Sequence, residues 1–174
     1  NVFYFDAPKA YGLNFAGLAG VTRDKMIGFQ TTGLFNYAME NVYGLRATLG
    51  LNLARKNVYG AEIGGVGLRE KICGLDVEFL GAAQREMCGL QVSLIANVTD
   101  GKSYGCSISG GTNLTRTMNG LQLAFIFNGT EELNGAQIGL VNFTDYCASG
   151  FQIGLINVIM SNQVKVLPFV NGYF

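Results

Sequence analysis

Glycine recurs along this chain at a nearly fixed interval, and that period constrains the fold more than any other feature. Phase glycines stand at Gly12, Gly28, Gly44, Gly60, Gly74, Gly89, Gly105, Gly120, Gly135 and Gly150, separated by 14 to 16 residues. The 174 residues divide into ten units and read as a single β-repeat domain over 1–174. The later units carry the pattern most plainly. Gly120-Leu-Gln-Leu-Ala-Phe-Ile-Phe-Asn128, Gly135-Ala-Gln-Ile-Gly-Leu-Val-Asn142 and Gly150-Phe-Gln-Ile-Gly-Leu-Ile-Asn157 are variations on G-φ-Q-φ-G-φ-φ-N, where φ is apolar.

Within a unit the residues alternate. At offsets +1, +3, +5 and +7 from the phase glycine none of the forty residues is charged, and many are large and apolar, such as Leu13, Phe15, Leu49, Ile63 and Phe125. At +2 and +4 stand Asn, Gln, Ser, Thr, Ala, Gly and the charged Arg46, Glu62, Asp76 and Glu78. Period two over about eight residues predicts a β-strand. Offset +6 breaks the alternation with Leu18, Leu34, Val66, Ile95, Ile126 and Ile156. Seventeen of the 24 charges fall at +9 to +13, which predicts solvated turns there. Val2–Phe5 and Val164–Phe174 are candidates for additional strands.

Composition narrows the function. Twelve Lys+Arg against twelve Asp+Glu leave no net charge, which excludes the basic footprint of a nucleic-acid binder. The absence of His removes Ser-His-Asp and Cys-His catalysis and the commonest zinc ligand sets. No run of about 18 apolar residues predicts a transmembrane helix. The first residues lack the basic n-region of a signal peptide, as a processed, exported chain would.

Two architectures accommodate the repeat. The favoured expectation is a closed antiparallel β-barrel of about 10–12 strands, membrane type, with the charge-free face toward lipid and the Gln/Gly/Ser/Thr face inward. Arg46, Glu62, Asp76 and Glu78 would then form a lumenal charge cluster, and Tyr11, Tyr43, Tyr59 and Tyr104 an aromatic girdle at the strand ends. The alternative is a parallel β-solenoid with 15–16-residue coils. Fifteen residues span about 50 Å at strand rise, so a straight strand leaves too little chain to close a coil unless the chain bends inside the alternating run. Leu121, Leu123, Phe125, Ile126, Phe127 and Leu133 also exceed what a narrow interior would hold. A soluble barrel ranks third.

The units ending in Val166-Leu-Pro-Phe-Val-Asn-Gly-Tyr-Phe174 resemble an uncharacterised bacterial surface-repeat family built from G-L-Q-I-G-L-x-N units. That resemblance implies an exported cell-envelope protein of Gram-negative bacteria, at the outer membrane or cell surface, and no known activity. Phe174 resembles the C-terminal aromatic of outer-membrane barrels, although Pro168 and Gly172 depart from the usual alternation.

The remaining motifs favour structural readings. Cys73, Cys88, Cys106 and Cys147 show no metal-ligand spacing, so no metal and no cofactor is expected. Cys73 and Cys88 each precede a phase glycine and form a possible disulfide. They stack about 4.8 Å apart in a solenoid and lie at opposite ends in an antiparallel barrel. Asn97-Val-Thr, Asn113-Leu-Thr, Asn128-Gly-Thr and Asn142-Phe-Thr match the glycosylation pattern, but their recurrence with the repeat assigns them to turn chemistry. Gly64-Gly65-Val66-Gly67 lacks the ending and helix of a phosphate loop. Asp76 and Glu78 are spaced for paired acid–base work, yet with Arg46 and Glu62 on the same face they read as an ion cluster. The expected function is a non-enzymatic outer-membrane structural component or narrow pore, with the lipid bilayer of the outer membrane and other envelope proteins as candidate partners. The alternative is an extracellular solenoid serving as a binding or assembly surface.

Overall fold

A computed structural model describes residues 3–173 and contains β-strands joined by short corners, with no helix among the described residues. The strands are β1 (Tyr4–Ala7), β2 (Ala10–Ala16), β3 (Ala19–Thr22), β4 (Met26–Thr32), β5 (Phe35–Ala38), β6 (Val42–Thr48), β7 (Leu51–Ser109), β8 (Thr112–Ala124), β9 (Phe127–Ile138), β10 (Val141–Ile159) and β11 (Val166–Tyr173). Each repeat unit is one coil, and successive coils stack parallel and in register. Gly12 lies beside Gly28, Gly28 beside Gly44 and Gly44 beside Gly60. Farther on, Gly105, Gly120, Gly135 and Gly150 continue the same column. The molecule is a parallel β-solenoid.

The antiparallel barrel and its membrane-spanning strands are thereby corrected. Closure is achieved by the bend that the length argument required. The chain turns at offsets +5 and +6, at Gly17-Leu18, Gly33-Leu34 and Leu49-Gly50 between consecutive strands. The +6 residues that break the alternation are these corner residues. A second bend occurs at the phase glycines, all ten of which have positive φ. A Cβ at Gly60 would collide with the carbonyl oxygen of Gly44 in the coil beneath. Left-handed backbone and close coil-to-coil approach together require glycine in this column.

The crowding objection fails because Leu121, Leu123, Phe125, Ile126 and Phe127 point outward and, of those six residues, Leu133 alone enters the core. Inward columns lie at −2, +2 and +4, and near +8 and +10. The −2 column supplies most of the apolar core, including Met26, Val42, Val58, Ile72, Met87, Met118 and Leu133, and is broken into two clusters around the buried Ser103. The other inward columns are mainly polar. One column stacks Asn97, Asn113, Asn128, Asn142 and Asn157, each donating to the side-chain oxygen of the next at 2.8–3.0 Å. The side-chain nitrogens of Asn97, Asn113, Asn128 and Asn142 also donate to a strand carbonyl, on Ile108, Leu123, Ile138 and Ile153 respectively, at 2.8–2.9 Å. Gln122, Gln137 and Gln152 form a second ladder at 2.7–2.8 Å. A primary amide carries donor and acceptor, so identical copies one strand spacing apart satisfy one another. The Asn residues of the four Asn-x-Thr motifs are therefore core residues rather than turn residues, and their burial leaves no room for a glycan.

The two ends of the chain differ. β1 continues the parallel stack by pairing with β3. β11 reverses and pairs antiparallel with β10, covering the last coil. A register irregularity between Gly154 and Asn157 coincides with Phe169, which has φ 67°, as β11 follows the corner of that coil. Val2 and the proposed terminal aromatic Phe174 lie outside the described residues.

Candidate functional site

The distribution of side chains around a coil gives the solenoid two unlike flanks. Columns +1 and +3 and the corner at +5 and +6, joined by +7 and +9 in the 16-residue units, face outward and are largely apolar. Leu13, Leu49, Leu94, Phe125 and Leu155 are 60–85% exposed. At about 4.8 Å per coil the stack is roughly 48 Å long. One strand face about 15 Å wide therefore exceeds the few hundred Å² of contiguous apolar surface usual for soluble monomers. An open groove of about 580 Å³ at the corner is lined by Leu123, Phe125, Leu140, Leu155 and Phe169.

The opposite edge carries the turn charges, which pair from coil to coil: Arg23 with Asp6, Lys56 with Glu40, Lys71 with Glu86, Arg85 with Glu70 and Arg116 with Asp100. Exposed pairs like these add little stability, but a register slip would oppose like charges. Between edge and apolar face lies the −1 column, with Tyr11, Tyr43, Tyr59 and Tyr104. Tyr43 and Tyr59 stack at 5.2 Å, and Lys25 lies 4.7 Å over the Tyr43 ring.

The four charged residues read from the sequence as lumenal are brought together, but inside a packed interior rather than a water-filled lumen. Arg46, Glu62 and Asp76 replace Gln in the +2 column of three successive coils, and Glu78 occupies +4. Arg46 Nε donates to Glu62 at 2.7 Å, and its Nη1 donates to the Leu53 carbonyl at 3.0 Å. The sequence reading missed Arg69, which stands at the centre. Its guanidinium donates to Glu62 at 2.8 Å and to Asp76 at 3.1 Å, and also bonds Glu78. By its offset of +9 from Gly60, Arg69 falls among the turn charges. The signal that could have found it is the 14-residue spacing from Gly60 to Gly74, which shortens the corner and turns +9 inward. Gly67 makes the space, since a Cβ there would strike both the Arg69 guanidinium and the Glu78 carboxylate.

Two guanidinium groups thus face three carboxylates. Burial works against charge on Glu62, but Arg46 and Arg69 more than offset it and hold its pKa below the usual value. Burial pushes Glu78 up to about 8, against the pull of Arg69. Asp76 is raised to about 6 by burial, with Arg69 opposing and Glu62 adding repulsion. A proton held on Glu78 balances the cluster near neutral pH.

The cysteines settle strand direction. Cys73 and Cys88 lie on adjacent coils with sulfurs 2.6 Å apart, where an antiparallel barrel would have separated them. Cys106 is half-buried and Cys147 buried, and all four cysteines are free thiols.

No family model, curated protein or solved structure matches the chain.

Proposed function

We propose that this solenoid is a non-enzymatic docking element of the cell envelope that lays its apolar flank on a lipid surface. The observation that carries the reading is the inversion of polarity: hydrogen-bonded amides fill the interior while Leu, Ile and Phe cover the outside. Interfacial binding scales with the apolar area buried, and this flank runs the whole length of the stack. Tyrosines lie between the apolar face and the charged edge, where amphipathic rings favour a membrane–water interface. The charged edge then faces water. The exported, outer-membrane or cell-surface location rests on resemblance to the surface-repeat family.

Flotation of the purified chain with phosphatidylcholine vesicles tests this reading. The chain should rise with the vesicles, and Leu94→Lys with Phe125→Lys should weaken flotation without unfolding, because both side chains are exposed. A chain that stays monodisperse without detergent and does not float refutes lipid docking. Detergent-sensitive oligomers without flotation would instead identify the flank as an assembly surface between copies.

A further inference from the structure

Where the charged edge meets the −1 column, Lys71 and Cys73 of one coil lie beside Glu86 and Cys88 of the next. Both pairs are two residues apart on a strand, so all four side chains share the outer face and form a two-by-two array. The two sulfurs and a Glu86 carboxylate oxygen all lie within 4.8 Å of one another, and all three residues are partly exposed. Lys71 Nζ sits 2.9 Å from Glu86.

We propose that Cys73, Cys88 and Glu86 bind a thiophilic divalent cation of the zinc class, with solvent in the fourth position. Tetrahedral zinc with bonds of about 2.3 Å to sulfur separates two thiolates by about 3.8 Å. The sulfurs, 2.6 Å apart, open to that separation by side-chain rotation, which stacked positions about 4.8 Å apart in a sheet allow. A disulfide asks more of the same backbone, because it draws the two Cβ atoms to about 3.8 Å. Two thiolates and one carboxylate form a donor set suited to zinc, and partial exposure supplies an entry path. Binding releases the thiol protons and displaces Lys71 from Glu86, so affinity rises with pH. The site is independent of the lipid-docking reading.

The test uses the full chain reduced with a phosphine and titrated with Co²⁺, followed by Zn²⁺ competition. One equivalent of Co²⁺ should give sulfur-to-metal charge-transfer absorption that Zn²⁺ removes. Cys73→Ser and Cys88→Ser should each abolish the band, and Glu86→Gln should weaken binding by ~10–100-fold. Lys71→Met should tighten it, an effect that a purely structural role for these residues would not produce. Cys106→Ser should leave the band unchanged, and far-UV circular dichroism should confirm that every variant is folded. The proposal is overturned by a band that survives both Cys73→Ser and Cys88→Ser. It is equally overturned if the chain forms a Cys73–Cys88 disulfide but binds no metal once reduced.

Discussion

Replacing Arg69 by Met tests the account of the interior at its most loaded point. The guanidinium is fully enclosed and shared among Glu62, Asp76 and Glu78. Met retains much of the aliphatic volume but removes the charge. Glu62 keeps Arg46, whereas Asp76 and Glu78 lose their cation and must ionise unpaired or take up protons. Breaking a buried ion pair from one side costs roughly 3–5 kcal/mol, a large share of a stability that is ordinarily about 5–15 kcal/mol. The pH dependence identifies the cause. In the parent chain burial pushes Glu78 up to about 8 and Asp76 up to about 6, above their ordinary values of 4.5 and 3.8. Between these limits the native state holds protons that the unfolded chain has released, so their contribution falls as pH rises toward 8. Glu62 behaves oppositely: its depressed pKa contributes stability above 4.5 that is lost as pH falls through the folded value. Without Arg69 the pKa values of Asp76 and Glu78 rise further, so the penalty should be small near pH 4.5 and grow toward pH 8. Urea unfolding followed by far-UV circular dichroism at pH 4.5, 6 and 8 measures it, and Glu78→Gln added to Arg69→Met should recover part of the loss at pH 8. A penalty below about 1 kcal/mol at pH 8, or one independent of pH, would refute the buried-charge argument.

Two other substitutions probe the repeat itself. Asn128→Ala removes the central amide of the Asn ladder: Asn142 Oδ1 and the Ile138 carbonyl lose their side-chain donor, and Asn113 Nδ2 loses one acceptor while keeping the Leu123 carbonyl. The unmet buried groups should cost about 2–3 kcal/mol, read as a lower urea midpoint, with a smaller loss for Asn97→Ala at the ladder's end. Gly120→Ala places a Cβ on backbone with φ 138° and against the Gly105 carbonyl oxygen. It should cost about 3 kcal/mol or more, detectable as loss of protease resistance, whereas Gly12→Ala meets no neighbouring atom and should be milder.

The repeat, the strand alternation and the inward direction of the polar face are all legible in the sequence, because period two and the phase glycines are local properties. Strand direction is not. The same alternation serves a barrel or a solenoid, and the choice rests on where the chain bends. The corner residues Leu18, Leu34 and Ile126 carry that information, but they look like interruptions until the coils are stacked. Arg46, Glu62, Asp76 and Glu78 could be grouped from one offset column. Arg69 could not, because it reaches the cluster from the other side of the coil through a unit two residues shorter than its predecessor. The Asn ladders escaped for a related reason: Asn at a strand end suggests a turn, and only register with identical neighbours turns it into a core residue.

The inverted polarity has a thermodynamic consequence that links fold to function. Much of the apolar side-chain surface lies outside, so burial of the −2 column supplies only part of the usual hydrophobic stabilisation. The ladders specify register, but each hydrogen bond nets only about 1 kcal/mol because water competes for it in the unfolded chain. Covering the outer flank therefore contributes free energy that the isolated solenoid lacks. A lipid surface that binds the folded chain and not the unfolded one stabilises it by mass action, about 2.7 kcal/mol when lipid exceeds its dissociation constant a hundredfold. The melting temperature should rise steadily with vesicle concentration, and the rise should shrink for the Leu94→Lys, Phe125→Lys chain. Equal shifts in both chains would place the lipid contact elsewhere than the apolar flank. No shift in either, at lipid concentrations that saturate flotation, would mean that the vesicle-bound chain is no longer this solenoid.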